Sequence, residues 1–295
     1  MKIKIESIVI TNAISSASGL AVAGNIIWMV GDDADYVTKS TIGQTDFRRI
    51  KLCENASEER LAKATKHDFE ACTIGEIAGK QYLFVLGSGG LSPYRESMFA
   101  LNIENTEQCY KRSLQHLYNA IRSSAGLKEK ELNIEGAAVA GDKLVLFNRG
   151  KNFIVLLSWK KFSSFALHED ATDIPPFKII MIELPMVNGF QIGFSGACTI
   201  NENELLFTAT LEETHDPIAD GAIKGSYIGL LNLQGNDFAQ VVSLTQMKNN
   251  DNHFVTDKLE AIEIIKIKGK NMSAIAVADN DDGSSKLYYL SICID

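Results

Sequence analysis

Apolar residues along the chain gather in short runs separated by polar turns, the spacing of strands, and the runs recur in a fixed order. Five segments open alike: ASGLAVAGNIIWMVGDD from Ala17, DFEACTIGEIAGKQYLFVLGSGG from Asp68, NIEGAAVAGDKLVLFNRG from Asn133, FSGACTINENELLFTATLEE from Phe194 and KLEAIEIIKIKGKNMSAIAVADNDDG from Lys258. Each carries a Ser or Glu followed by small and apolar residues, then a polar turn, a strongly apolar strand and a polar cluster. The anchors Ser18, Glu70, Glu135, Ser195 and Glu260 stand 52, 65, 60 and 65 residues apart, a loose period suited to propeller blades with variable loops.

Behind each opening hairpin there is room for two more strands. YVTKSTI and FRRIKL fill it in the first copy, NFIVLLSW and FKIIMIEL in the third, SYIGLLNL and FAQVVSLT in the fourth. The second copy offers RESMFALNIE and then a helical insertion over 107–126, ending at Gly126. The fifth has three strands before KLYYLSICID ends the chain, while KIKIESIVI is spare at the N-terminus. The pattern therefore predicts an all-β fold, one five-bladed β-propeller over residues 1–295 with four strands per blade, the ring closed by the N-terminal strand joining the last blade. A β-sandwich, or two β domains with chance resemblance among their strands, is the competing reading.

Composition narrows the functions. The 295 residues are 45% hydrophobic and 22% charged with a formal net charge of −8, and the clustered basic surface of a nucleic-acid binder is missing. No apolar window is long enough for a transmembrane helix, and MKIKIESIVITNAIS lacks a leader's apolar stretch and cleavage site, so a cytoplasmic location is expected, or a secreted one if a leader has been trimmed. Cys53, Cys72, Cys109, Cys198 and Cys293 are odd in number and never form C-x-x-C, which argues against a zinc site or a disulfide framework. The histidines show no ligand spacing, with only His67 and His215 beside anchor or rim segments. GSGG at 87–90 is not followed by the Lys-Ser or Lys-Thr of a P-loop. ADNDDG, with Asp279, Asp281 and Asp282, lacks the spacing of an EF-hand. Ser195 in GFSGA begins a strand and is no nucleophile elbow.

In a propeller the first strand of every blade faces the central channel, so the five anchors converge at the axis. Three buried carboxylates there repel unless a cation or a hydrogen-bond network compensates. Ser18, Glu70, Glu135, Ser195 and Glu260 offer only oxygen, the donor set of a hard cation, and a larger, flexible sphere favours Ca²⁺ over Mg²⁺. The competing reading has the glutamates capping channel amides or holding water.

The order Ser, Glu, Glu, Ser, Glu on successive blades resembles the calcium-activated nucleotidases, or apyrases. The likeness extends to SGL at Ser18 with Asp32 and Asp33 behind it, EA at Glu70, IEGAA at Glu135, GFSGA and ATLEE at Ser195, and LEAIE at Glu260. It covers the blade openings and little of the outer strands. The resemblance implies a five-bladed propeller with Ca²⁺ in the tunnel, hydrolysing a nucleotide or another phosphorylated small molecule at the mouth. Arg95, Arg149 and Lys66 then become candidates for holding phosphate, and Asp32, Glu212 and Asp279 for orienting water or a second cation. Two alternatives stand beside this: a non-catalytic propeller that binds a ligand or protein around a structural ion, and a lactonase-like or phosphoesterase-like propeller.

Overall fold

The computed structural model describes all residues except 54–55, 58–59, 169–170, 172, 215–220, 236, 281 and 295. His215 and Asp281 lie outside the described residues. The chain opens with β1 (Lys2–Thr11) and then builds a first blade from β2 (Ala17–Ala23), β3 (Ile26–Gly31), β4 (Tyr36–Thr41) and β5 (Arg48–Lys51). The second blade is β6 (Phe69–Ile77), β7 (Lys80–Gly87), β8 (Ser97–Asn102) and β9 (Cys109–Ser113), followed by helix α1 (Gln115–Ala125). The third is β10 (Ile134–Ala140), β11 (Lys143–Asn148), β12 (Phe153–Ser158) and β13 (Phe177–Met181), with α2 (Trp159–Leu167) between its last two strands. A short β14 (Met186–Val187) precedes the fourth blade of β15 (Phe190–Thr199), β16 (Glu204–Glu212), β17 (Ile223–Gln234) and β18 (Phe238–Gln246). The fifth holds β19 (Lys258–Lys268), β20 (Asn271–Asp279) and β21 (Ser285–Cys293), and β1 completes it in the order β1-β21-β20-β19.

The protein is a five-bladed β-propeller. Its innermost strands touch in sequence, β2 to β6 to β10 to β15 to β19 and back to β2, so the ring is closed. The second strands, IIWMVG of β3 and LVLFN of β11 among them, are continuously apolar because a neighbouring blade packs on each face. Five hydrophobic clusters fill the five blade-to-blade interfaces. Each large side chain buried there contributes about 1.5–3 kcal/mol.

The insertion expected over 107–126 is divided. CYKRS is the outer strand β9, paired with β8 from Ser97↔Ser113 to Leu101↔Cys109, and only Gln115–Ala125 is helical, closed by Gly126 in the left-handed conformation. The α2 helix went unforeseen because WKKFSSFAL follows its strand without a side-chain cap. It earns its place by packing: the Trp159 ring lies over Gly75, where any Cβ would come within 2.2 Å of it, and its Nε1 donates to Glu76 O at 3.1 Å. Leu117, Tyr118 and Ile121 of α1 join Phe162 and Phe165 of α2 in the cluster between blades two and three. All five cysteines are free thiols.

Candidate functional site

Every innermost strand carries a β-bulge at its anchor. Pairing with the second strand slips between Ala17 and Gly19, Phe69 and Ala71, Ile134 and Gly136, Phe194 and Gly196, and Leu259 and Ala261. The skipped residues are Ser18, Glu70, Glu135, Ser195 and Glu260. A bulge releases one residue from the ladder and re-aims its side chain. The residue that follows is always Gly or Ala because strands crowd near the axis: a Cβ on Gly196 would sit 2.6 Å from Ala261 Cα, and one on Gly136 would sit 3.1 Å from Ala197 N. The recurring dipeptides SG, EA, EG, SG and EA are thus an axial bulge followed by a blade contact.

Ser16, Asp68, Asn133, Gly193 and Lys258, each two residues before an anchor, form a second ring, and all five line the channel mouth. Gly193 leaves a gap in this ring, and Arg149 fills it: a Cβ there would lie 2.9 Å from Arg149 Cγ. The mouth is a cavity of about 960 Å³ that includes Asp32, Arg95, Glu212 and Asp279 among its walls. All six rim residues named from the sequence, Arg149 and Lys66 included, are thereby brought to one cavity, together with Ser18, Glu70, Glu135 and Glu260. Ser195 lies buried below it, 1% exposed.

The cations are already engaged. Arg149 donates through Nη2 to Glu212 at 2.7 Å and through Nη1 to Thr210 Oγ1 at 2.8 Å, Phe194 O at 3.3 Å and Glu135 at 3.5 Å. Arg95 Nη1 donates to Asp68 at 2.7 Å. Lys66 Nζ lies 2.8 Å from Asp68 and also bonds Asp32, while Arg60 bonds Asp33. Lys258 Nζ meets Glu260 Oε1 at 2.9 Å. Asn133 Nδ2 donates to Glu135 Oε1 at 2.6 Å. Ser18 Oγ donates to Phe69 O. Lys258 escaped the sequence reading, although its place two residues before Glu260 on a strand was the signal.

Repulsion at the axis is therefore met largely from within the chain, by Lys66, Arg149 and Lys258. Burial still raises the carboxyls. Glu260 is pushed up to about 7 by burial, against the pull of Lys258. Glu135 is raised by burial, with Arg149 and Lys258 opposing. Glu70 is driven well above the carboxylate range, first by burial and then by the charges of Asp68, Asp32, Glu135 and Glu260. Burial is the largest single influence on Lys66 and Lys258 and lowers both, yet the surrounding carboxylates outweigh it and leave both ammoniums more basic than usual.

Some oxygens remain unspent. Ser195 Oγ, Glu260 Oε2 and Asp32 Oδ1 are buried without a hydrogen-bond partner. Each such orphan costs about 1–3 kcal/mol unless something covers it. Among the described residues, the carboxylates close enough to share one ion are Asp32, Asp68 and Glu70, whose oxygens lie within 4.8 Å of one another. This set contains one anchor and two rim groups, with Lys66 beside them. It differs from the symmetric ring of five expected from the sequence.

No helix among the described residues is long and apolar enough to cross a membrane. No curated protein matches the chain. Among solved structures, the major allergen Mala s 1 of Malassezia sympodialis aligns with a TM-score of 0.52 at 11% identity, covering 96% of this chain and 94% of its own. A GH43 β-1,3-galactosidase aligns with a TM-score of 0.50 at 11% identity, over 94% of this chain and 56% of its own. Identities this low speak for the fold alone. The family match carries no nucleotidase description, so the apyrase likeness rests on the blade-opening motifs. That match runs over residues 13–292, and the chain belongs to the family of unknown function DUF6929.

Proposed function

We propose that the propeller binds a hard divalent cation, Ca²⁺ first among them, on Asp32, Asp68 and Glu70, and through it a phosphorylated small molecule in the channel mouth. The observation that carries this reading is the three-carboxylate cluster beside the orphaned Asp32 Oδ1. The donors are all oxygen, which suits Ca²⁺. Bound there, the ion would offset two of the three carboxylate charges and polarise a phosphate oxygen. Lys66 and Arg95 are two of the chain's own cations on this side, and both rest on Asp68. A ligand phosphate offers them an alternative partner of the same charge. Arg149 is spent as a strut between blades three and four, so it supports the wall.

Hydrolysis of the bound phosphate is the second reading, favoured by Glu260. Its carboxyl titrates at about 7 and holds an unpartnered oxygen in the same cavity. At neutral pH it can take the proton from a water that attacks phosphorus as the P–O bond to the leaving group breaks.

Calorimetric titration with Ca²⁺ tests the first reading. One equivalent should bind the native protein, and Glu70→Gln should weaken it by at least about tenfold, the worth of one charged ligand. Equal affinity in the two proteins would overturn the assignment. A screen of nucleotides and phosphate esters tests the second: turnover in Ca²⁺ should fall in Glu260→Gln, and no turnover on any substrate would leave a binding propeller.

A further inference from the structure

The face of blade five that packs on blade one is apolar in its upper half, where Ile275, Val277 and Leu287 meet Ile14, Leu20 and Met29. Its lower half runs past blade one and is open. Two rows cross all four strands there in register. Lys2 pairs with Cys293, Cys293 with Asn271, and Asn271 with Lys268. Lys4 pairs with Ser291, Ser291 with Ser273, and Ser273 with Lys266. Residues directly opposite in a sheet share a face. A lysine therefore stands at both ends of both rows, with small polar side chains between.

The result is a trough of about 430 Å³ walled by Lys2 and Lys4 on one side and Lys266 and Lys268 on the other. Strand spacing sets the walls about 14 Å apart, and the two lysines of each wall about 7 Å apart along the strand. The four lysines are exposed. Lys4 is offset by Glu6 at 2.8 Å, whereas Lys2, Lys266 and Lys268 have no ion-pair partner among the described residues. Three unpaired ammoniums gathered on a chain of net charge −8 make a local positive field against the overall sign. Ser273 and Asn271 on the floor add hydroxyl and amide groups able to donate to an anion, while Ser291 lies against the Glu6 carboxylate that also holds Lys4.

We propose that this trough binds a compact polyanion bearing two or more phosphate or carboxylate groups, at a site separate from the channel mouth. Its volume is that of a small-molecule pocket. A ligand lying across the floor places anionic groups toward both walls, and flexible lysine stems let the ammoniums close on it.

Titration in chelator, which keeps metal-assisted binding at the axis out of the measurement, tests this with inorganic tripolyphosphate and with the tricarboxylate tricarballylate. At least one should bind, more weakly as salt rises, and which of them binds tells phosphate from carboxylate recognition. Lys266→Ser with Lys268→Ser, and separately Lys2→Ser with Lys4→Ser, should each weaken binding by at least about tenfold, as expected for two lost charged contacts. The exposed positions leave folding intact, read as an unchanged Tm, and the two pairs test opposite walls independently. Failure of both probes to bind the native protein up to about 1 mM, a ceiling that marks only weak affinity, would overturn the site. So would unchanged affinity in both double variants.

Discussion

Arg149 shows how one side chain can organise the axis. Its guanidinium joins Glu135 of blade three to Glu212, Thr210 and Phe194 O of blade four, in the space that Gly193 leaves open. Arg149→Met keeps the volume and strands two buried carboxylates, so it should cost about 3–5 kcal/mol, read by urea denaturation at neutral pH. A loss below about 1 kcal/mol, the size of an exposed ion pair, would contradict the strut. A different test lies at Glu263, whose carboxyl burial pushes up to about 8, and which is close enough for its charge to act on the buried Cys72 and Cys198 thiols. Between the ordinary carboxylate range and about 8, the folded protein holds a proton that the unfolded chain has released. Stability from this group therefore falls as pH rises through that window. Glu263→Gln should match the native protein near pH 4 and exceed it in stability above pH 8. Equal stability at both ends would mean that the group titrates normally.

At the scale of elements, the blade openings were legible because one physical constraint is repeated five times: a bulge that turns a polar residue to the axis, then a small residue where strands crowd. Gly196→Ala tests that constraint. The added methyl meets the backbone of Ala261 and Glu260 O, both at 2.6 Å, and overpacking of this kind costs about 1–3 kcal/mol. A neutral result in denaturant would show that the strands part freely. What was illegible is equally physical. The charge balance of the mouth depends on Lys66, Lys258 and Arg149, which come from three different blades, so their proximity is a property of the closed ring. The carboxylate cluster likewise takes Asp32 from the end of one blade's second strand and Asp68 from the approach to the next blade. The α2 helix lacked a capping signal, and α1 was blurred with β9 because CYKRS carries no strong alternation of its own.

At the scale of the whole molecule, the ring is held shut by β1, which pairs with β21 from Lys2↔Cys293 to Thr11↔Ser285. The spare strand at one end and the missing strand at the other made this closure readable from the sequence. Removing residues 1–11 would expose β21 as an unprotected edge and strip Ile5 from the cluster between blades four and five. The truncated chain should self-associate in size-exclusion chromatography, and a synthetic peptide of residues 1–12 should restore the elution of the native protein. A truncated chain that elutes and unfolds like the native protein would show that closure is dispensable. The proposed ion site lies where blades one and two meet, with Asp32, Asp68 and Glu70 together at the mouth of the ring. The most direct measurement is a crystal structure from Mn²⁺- or Ca²⁺-containing solution with anomalous data. The account predicts one peak bonded to those three carboxylates, at about 2.3–2.6 Å for Ca²⁺, with Lys66 turned away. An ammonium still seated on Asp32 and Asp68, and no peak beside Glu70, would contradict it.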